Sequence, residues 1–561
     1  MIDHLIFLFY IYFFLFSSIG YGIGFSKTIS KNLVNLNLGW YGIIGFFLLS
    51  FISLISSFFV PHNFLHNSIL HIIGFIFFFS YLLKRKDLNE YKILFLLSLA
   101  LLIGAYVFKN HDDFSYYHLT YALNLSENSF IVGTGNFSHG FRTFSSLFYY
   151  HSTLFMPFID YHLFHIGPFY IIIFFNIIIV SKLLSDIKLN QQNVIFYFSL
   201  ISLIFVNIVF YRIGEHGTDR SSQILLILIF LLFLEILLLK KNQPILLALS
   251  LMGILVALAA SIKAIYYLYF VLPLIVLIKK KLFYELLQKK NLVILSIIFL
   301  SVGLNLITYY LNTGCFLYPA EKTCIFKNDW SIPLDEVRYM SVHYEWWAKA
   351  GGGPGYSHEL ERHEYIKNFI WLENWIDKHF FNKVSDTLFG TIFLCFVVII
   401  SFLFTRKGEI KAYDNNNKIV YLLLFIFLTE WFLNHPSMRY GGFVLIGLPL
   451  ILFSSSIIAK FNLSQKRIKK LTVFFIILSI VIFNFRNIIR INKEMDIYGY
   501  KPLKSPFFFV ESVNSKIIAE NQKLKIFNPI NKSCWGSKTP CSYYVDLKIG
   551  NFLWMNMVSR K

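Results

Sequence analysis

Apolar residues along this chain run in unbroken blocks of membrane length, without the polar face of a helix that shares one side with water. Such blocks fall at 5–24, 40–60, 69–83, 92–108, 166–184, 194–211, 221–239, 245–260, 264–278, 292–311, 387–405, 420–433, 441–459 and 471–485. The pattern predicts about fourteen transmembrane helices, with 245–278 counted as a broken pair. Most connections are short, but 109–165 and 312–386 are too long to be turns, and membrane hydropathy ends near residue 485. The fold class that follows is an all-α polytopic membrane protein: a bundle over 1–485 and a small α/β segment over 486–561.

Composition agrees, with 56% hydrophobic and 15% charged residues in 561, which excludes a soluble globular protein. A net charge of +20 raises the question of nucleic acid, and the placement of the charges answers it. Lys84, Arg85, Lys86, Lys182, Lys188, Lys240, Lys241, Lys279, Lys280, Lys281, Arg406, Lys407, Lys411, Lys466, Arg467, Lys469 and Lys470 fall in or beside alternate connections, which the positive-inside rule makes cytoplasmic. No nucleic-acid partner is needed; the polar partners of these charges are membrane lipids. The opposite set then faces outward: 61–68, 109–165, 212–220, the turn at Lys263, 312–386, 434–440 and 486–561. The first block lacks a basic flank and a small-residue cleavage site, so it reads as a retained helix. The expected location is the inner, cytoplasmic membrane, with the active face periplasmic. Of five cysteines, Cys315, Cys324, Cys534 and Cys541 lie in outward segments, and their close spacing reads as disulfides of an oxidising compartment.

Chemistry concentrates in His111-Asp112-Asp113-Phe114-Ser115-Tyr116-Tyr117-His118, where a carboxylate pair meets the membrane surface. Phe114, Tyr117, Tyr121 and Leu125 recur at helical spacing, predicting an amphipathic surface helix that one Asp would cap. Capping accounts for one carboxylate only. Adjacent carboxylates hold a raised pKa or call for a cation, and either suits a general base or a metal-assisted site. The outward cations Arg142, Arg212, Arg220, Lys263 and Arg439 are candidates to grip phosphate oxygens, against the plainer reading of side chains that snorkel to headgroups. Arg439 sits with Tyr440 in a glycine-bearing turn between two spans, and Glu430, a carboxylate near the outer end of its span, is placed to orient it. His111, His118, His139, His151, His162 and His165 crowd the first outer segment and make a divalent cation a candidate cofactor. The stretch 359–380 spaces Tyr365, Ile366, Phe369, Ile370, Trp375 and Ile376 as one helix, either lying in the membrane interface or packed on the bundle.

A first-loop carboxylate pair, an amphipathic helix behind it, many further spans and an outward C-terminal part together resemble the polytopic GT-C glycosyltransferases. That resemblance implies a sugar moved from a polyprenyl-phosphate-linked donor to a glycan, lipid or protein acceptor. It implies Asp112 or Asp113 as the base, with Asp113 preferred because it begins the helix; the candidate substrate contacts, on their own chemistry and placement, are His111, Tyr117, His118, Arg142, Arg212, Arg220, Lys263, Glu430, Arg439 and Tyr440. Over most of its length the chain also resembles an uncharacterised group of bacterial integral membrane proteins. The segments that carry this second likeness are His111-Asp112-Asp113, Gly314-Cys315, Asp329-Trp330-Ser331, Asn434-His435-Pro436-Ser437-Met438-Arg439-Tyr440-Gly441 and Cys534-Trp535. Other classes fit part of the pattern. An O-antigen ligase or polymerase would place its chemistry in 312–386, and a lipid-linked oligosaccharide flippase would need internal symmetry and mid-membrane charges, neither of which is visible. A non-enzymatic envelope scaffold would leave the Asp pair as a cap. The orientation is directly testable: after reduction of intact cells, an impermeant thiol reagent is expected to label Cys324 and Cys541, and a cysteine placed at Lys280 only after permeabilisation.

Overall fold

The computed structural model describes residues 1–28, 33, 35–85, 88–107, 113–214, 217–238, 245–352, 358–403, 418–461, 464–507, 510, 513–530, 534 and 537–561. Nine helices among these residues are long and apolar enough to cross a membrane: Ile2–Thr28, Leu38–Ser57, Phe64–Leu82, Ile166–Lys188, Thr218–Leu237, Ile245–Ile262, Asn291–Thr313, Trp371–Leu403 and Gln465–Tyr498. Val194–Val209 and Gly442–Ile458 are apolar but shorter. Exposed Leu65, Ile69, Ile72 and Ile76 on one of these helices would be ruinous in water and are ordinary against lipid. The chain is a helical membrane protein.

Two predicted blocks do not form single helices. The block 92–108 gives Asn89–Ala100 and then the tighter turn Leu102–Tyr106. The block 264–278 divides into a tight helix, Ala264–Phe270, and a regular one, Val271–Lys280. The block 420–433, by contrast, is one continuous 17-residue helix, Lys418–Asn434. Hydropathy reports how apolar a stretch is and is blind to a change of helical pitch.

Close packing holds the bundle. Gly20 faces the backbone of Gly74, and Gly45 that of Ser18, so near that a Cβ at either would collide, which brings Ile2–Thr28 against both following helices. Deeper in, Asn176 and Asn207 exchange amide hydrogen bonds of 3.0 and 2.9 Å, and Asn207 also donates to Ser479 Oγ at 3.1 Å. Three helices are thereby fixed in register by groups that have no water to bond with instead. At the end predicted to be cytoplasmic, Glu235 pairs with Lys182 at 2.9 Å, and Lys182 with Asp186 at 3.2 Å. Glu235 therefore has its partner on a neighbouring helix; Lys240 and Lys241, which follow it in sequence, lie outside the described residues, as do Lys86, Arg406, Lys407 and Lys411.

One expected surface helix is buried, and the helix read over 359–380 is broken. Asp113 opens a widened turn, Phe114–His118, that leads into the helix Leu119–Glu127, whose Tyr121 and Leu125 are buried. Tyr121 earns its burial through two hydrogen bonds, to Tyr149 Oη at 3.1 Å and from Asn312 Nδ2 at 3.1 Å. The stretch 359–380 divides into Arg362–Tyr365, Trp371–Trp375 and the first part of the widened helix Ile376–Val384, with Trp371 and Trp375 buried, so it packs on the bundle.

The last long helix continues to Tyr498, beyond the predicted limit. After it come two antiparallel hairpins, Ser515–Glu520 with Lys525–Pro529 and Leu547–Phe552 with Met555–Arg560; among the described residues this part carries strands where an α/β segment was expected. Cys534 is bonded to Cys541 and Cys315 to Cys324, as the spacing suggested. The second hairpin is stitched to the first long connection, with Val558 N donating to Val132 O at 2.8 Å and Val132 N to Asn556 O at 2.9 Å.

One carboxylate ties three remote segments together. Glu336 Oε2 accepts from Arg142 Nη2 at 2.7 Å and from Arg560 Nη2 at 3.0 Å, while Oε1 accepts from Arg560 Nη1 at 2.5 Å. Burial opposes ionisation of Glu336, but the hydrogen bond from Arg560 and the two guanidinium charges outweigh it and hold the carboxyl below its usual range. The sign follows: the contact is complete above the pKa of an unfolded glutamate, about 4.3, and is lost as pH falls below it. Glu336→Ala leaves the fully buried Arg142 without its carboxylate, so unfolding of the purified protein is expected to show a loss of about 3 kcal/mol that vanishes at acid pH. An unchanged unfolding midpoint at neutral pH would show that the contact adds nothing.

Candidate functional site

Arg439 lies in the tight turn Met438–Tyr440, held from three sides through backbone carbonyls. Trp375 Nε1 donates to Pro436 O at 2.7 Å, Trp431 Nε1 to Ser437 O at 2.9 Å, and Gln223 Nε2 to Met438 O at 3.2 Å. Gly441 follows at φ 104°, a conformation that side-chain-bearing residues avoid, and it turns the chain back into Gly442–Ile458. The turn is a fixed platform.

From it the guanidinium reaches two carboxylates contributed by distant segments. Arg439 Nη2 donates to Asp113 Oδ2 at 3.1 Å, and Arg439 Nε to Asp219 Oδ2 at 2.9 Å. The other oxygen of Asp219 accepts from Lys263 Nζ, whose ammonium also lies 4.4 Å from the centre of the Tyr440 ring. The Trp347 ring faces Arg439 at 5.2 Å. Two cations and two carboxylates thus alternate as Asp113, Arg439, Asp219, Lys263. Burial works against a charged Arg439, yet Asp219, Tyr440 and Asp113 hold its pKa well above the ordinary value. Burial lowers Lys263 in spite of Asp219. Tyr117, behind Asp113, is pushed up by burial and by that carboxylate, so it stays a neutral hydroxyl.

The cluster borders a cavity of about 430 Å³ to which Asp113, Asp219, His118, Arg212, Arg220 and Arg439 contribute. Lys383 and Trp347 bring the second long connection to the same wall. The volume suits a small polar head group.

Most of the residues singled out in the sequence meet here, and some do not. Asp113, His118, Arg212, Arg220 and Arg439 line the cavity, with Lys263, Tyr117 and Tyr440 packed directly behind. Arg142 is elsewhere: it is fully buried and spent on Glu336, on Tyr318 Oη at 3.2 Å and on Gly135 O at 3.1 Å, so it braces the fold. Glu430 does not orient Arg439. It accepts from Asn434 Nδ2 at 3.3 Å and lies 3.7 Å from His435 Nε2, while Asp113 and Asp219 hold the arginine. Asp112 and His111 lie outside the described residues. His118, His151, His162 and His165 are buried, and among the described residues no three His, Cys, Asp or Glu side chains converge as metal ligands. A divalent ion at the Asp113 end would have to displace Arg439.

Asp219 was missed. It opens an apolar helix between Arg212 and Lys263, where an acidic first turn is common enough to carry no signal of its own. The available cue was a lone acid next to Arg220 at a predicted outward helix end.

Fold and site together define a polytopic helical membrane protein with a charged cavity at one end of its bundle. Residues 4–446 match the model of the family described as Domain of unknown function (DUF8201), and the chain belongs to that family. No curated protein and no solved structure matches the chain. The matched stretch contains Asp113, Asp219, Lys263 and Arg439.

Because Asp219 serves two cations, Asp219→Ala is expected to cost about 2 kcal/mol in unfolding free energy, short of a fully buried pair because all three side chains keep some solvent. Lys263→Met on top of Asp219→Ala should recover part of that loss, since it removes one stranded charge. Additive losses in the double variant would break the shared-carboxylate description.

Proposed function

We propose that the protein is a glycosyltransferase of the GT-C type, which moves a sugar from a polyprenyl-phosphate donor to an envelope acceptor at the extracytoplasmic face of the cytoplasmic membrane. In this reading Val194–Val209, Lys418–Asn434, Gly442–Ile458 and the two pitch-broken segments over 89–106 and 264–280 also cross, which with the nine long helices makes fourteen spans. The observation that carries it is the pairing of Asp113 with Arg439 on one cavity, although they are 326 residues apart. A base that must reach an acceptor hydroxyl and a cation that must hold a departing phosphate have to lie within reach of one bound head group.

The arrangement also suggests how the two functions are switched on together. Without substrate, Arg439 neutralises Asp113 and the base is masked. A phosphate entering the cavity offers Arg439 oxygens in place of Asp113 Oδ2, while Asp219 keeps Nε and holds the guanidinium in position. Released, Asp113 accepts the hydroxyl proton of the acceptor as that oxygen bonds to the anomeric carbon. The bond from the anomeric carbon to the lipid phosphate oxygen breaks, its electron pair leaves with the phosphate, and the configuration inverts. Arg439 stabilises the charge that develops there.

Extracted lipid-linked sugars and surface glycans from cells carrying wild-type protein or Asp113→Asn test this. Donor lipid is expected to accumulate in the variant while the protein stays folded, because the Asn amide oxygen still accepts from Arg439 and Asp219 keeps its charge. Arg439→Ala should chiefly weaken donor binding, by about 1.5–3 kcal/mol for a lost charge-assisted contact. Wild-type glycans with Asp113→Asn would rule out Asp113 as the base.

A further inference from the structure

The second C-terminal hairpin turns in a way that water does not favour. Phe552 pairs with Met555, so only Leu553 and Trp554 form the turn, with Leu553 at φ 56°. Two-residue hairpin turns ask for positive φ and are ordinarily built from Gly, Asn or Asp. Here a leucine occupies the left-handed position, and Leu553 and Trp554 are 71% and 63% exposed. The first hairpin is the internal contrast: its turn is Asn521-Gln522-Lys523-Leu524, where Asn521 Oδ1 accepts from Lys523 N at 2.8 Å and Leu524 N at 2.7 Å, and the one apolar side chain, Leu524, is buried. One tip is built for water and the other is not.

The apolar tip rests on the end of a membrane-length helix. Trp554 Nε1 donates to Phe58 O at 3.0 Å, satisfying a carbonyl just past the end of Leu38–Ser57. Its ring stacks on Phe59 at 5.8 Å and 9°. Phe59, Val60 and Leu65 are themselves exposed and continue into the lipid-facing side of Phe64–Leu82. An indole with its N–H bonded and its ring exposed, at the junction of two apolar helices, is the arrangement found at headgroup depth.

We infer that the Leu553-Trp554 tip, with Phe59 and Val60, is inserted into the bilayer interface and anchors the C-terminal segment to the lipid surface. The occupant is lipid because the patch is continuous with the faces of helices that lipid must cover. The inference is independent of the proposed transferase activity.

The full chain with Cys395→Ser, its disulfides intact, is reconstituted in phosphatidylcholine and phosphatidylglycerol vesicles and spin-labelled at Leu553→Cys, or at Lys523→Cys on the polar tip. Power-saturation spectroscopy then compares accessibility to oxygen, which concentrates in lipid, with accessibility to a water-soluble nickel chelate. The oxygen-to-nickel ratio is expected to be several-fold higher at 553 than at 523. A labelled Phe59→Cys gives the same reading without touching the hairpin and is expected to match 553. Equal, water-like ratios at all three sites would overturn the anchor. So would dipolar broadening at 553 that disappears on diluting the protein in lipid, since a second copy would then be covering the tip.

Discussion

A guanidinium partly withdrawn from water at the edge of a membrane bundle needs anions on more than one side, and Arg439 finds them in Asp113 and Asp219. Neither comes from its own segment, so the requirement fixes where three remote parts of the chain meet. The rest of the structure can be understood as the support for that meeting. Trp375, Trp431 and Gln223 peg the carbonyls of the turn that carries Arg439. Thr218–Leu238 presents Asp219 in its first turn, and Lys263 comes from the end of the neighbouring helix Ile245–Ile262 to share it. Buried amides such as Asn176 and Asn207 keep the helices beneath from sliding, which would misplace every charge above them.

Such a cluster is well suited to exchanging partners. The charges of Asp113, Arg439, Asp219 and Lys263 sum to zero, so each ion of these four has an opposite charge beside it. A cation that passes from a carboxylate to a phosphate keeps one charge-assisted hydrogen bond throughout, so the exchange does not need a bare buried charge as an intermediate. The widened turn that begins just after Asp113 belongs to the same account, since an irregular turn lets a short carboxylate approach a partner that a regular helix would point past.

How much of this was legible depends on the range of each signal. Asp113 and Arg439 could be found because each is a polar residue where apolar blocks end, and the covalent pattern alone puts both on one side of the membrane. Asp219 has the same position but sits among arginines at the start of a helix, so its local sequence looks like a solvated end. Arg142 was misread for a related reason. An outward arginine has one composition whether it serves a ligand or a glutamate 194 residues away, and Glu336 is visible only once the chain has folded. Glu430 was assigned to Arg439 by nearness in sequence, whereas a helix end gives it Asn434 and His435 first. The helices were read from hydropathy. The breaks near Leu101 and Phe270 were harder to place, because the residues stay apolar while the pitch changes.

The family match ends at residue 446, ahead of the last long helix and both hairpins, whereas every member of the charge cluster lies before it. Chemistry and C-terminal segment are therefore separable in sequence, yet they are mechanically joined in space. Arg560 grips Glu336, Glu336 grips Arg142, and Arg142 fixes Gly135 in the same long connection that begins with Asp113. The hairpin also hydrogen-bonds Val132 directly. A segment outside the matched region thus clamps the loop that delivers the carboxylate, and any motion of the hairpin relative to the bundle would act on the loop that carries Asp113, without touching the helices that carry Arg439 and Asp219.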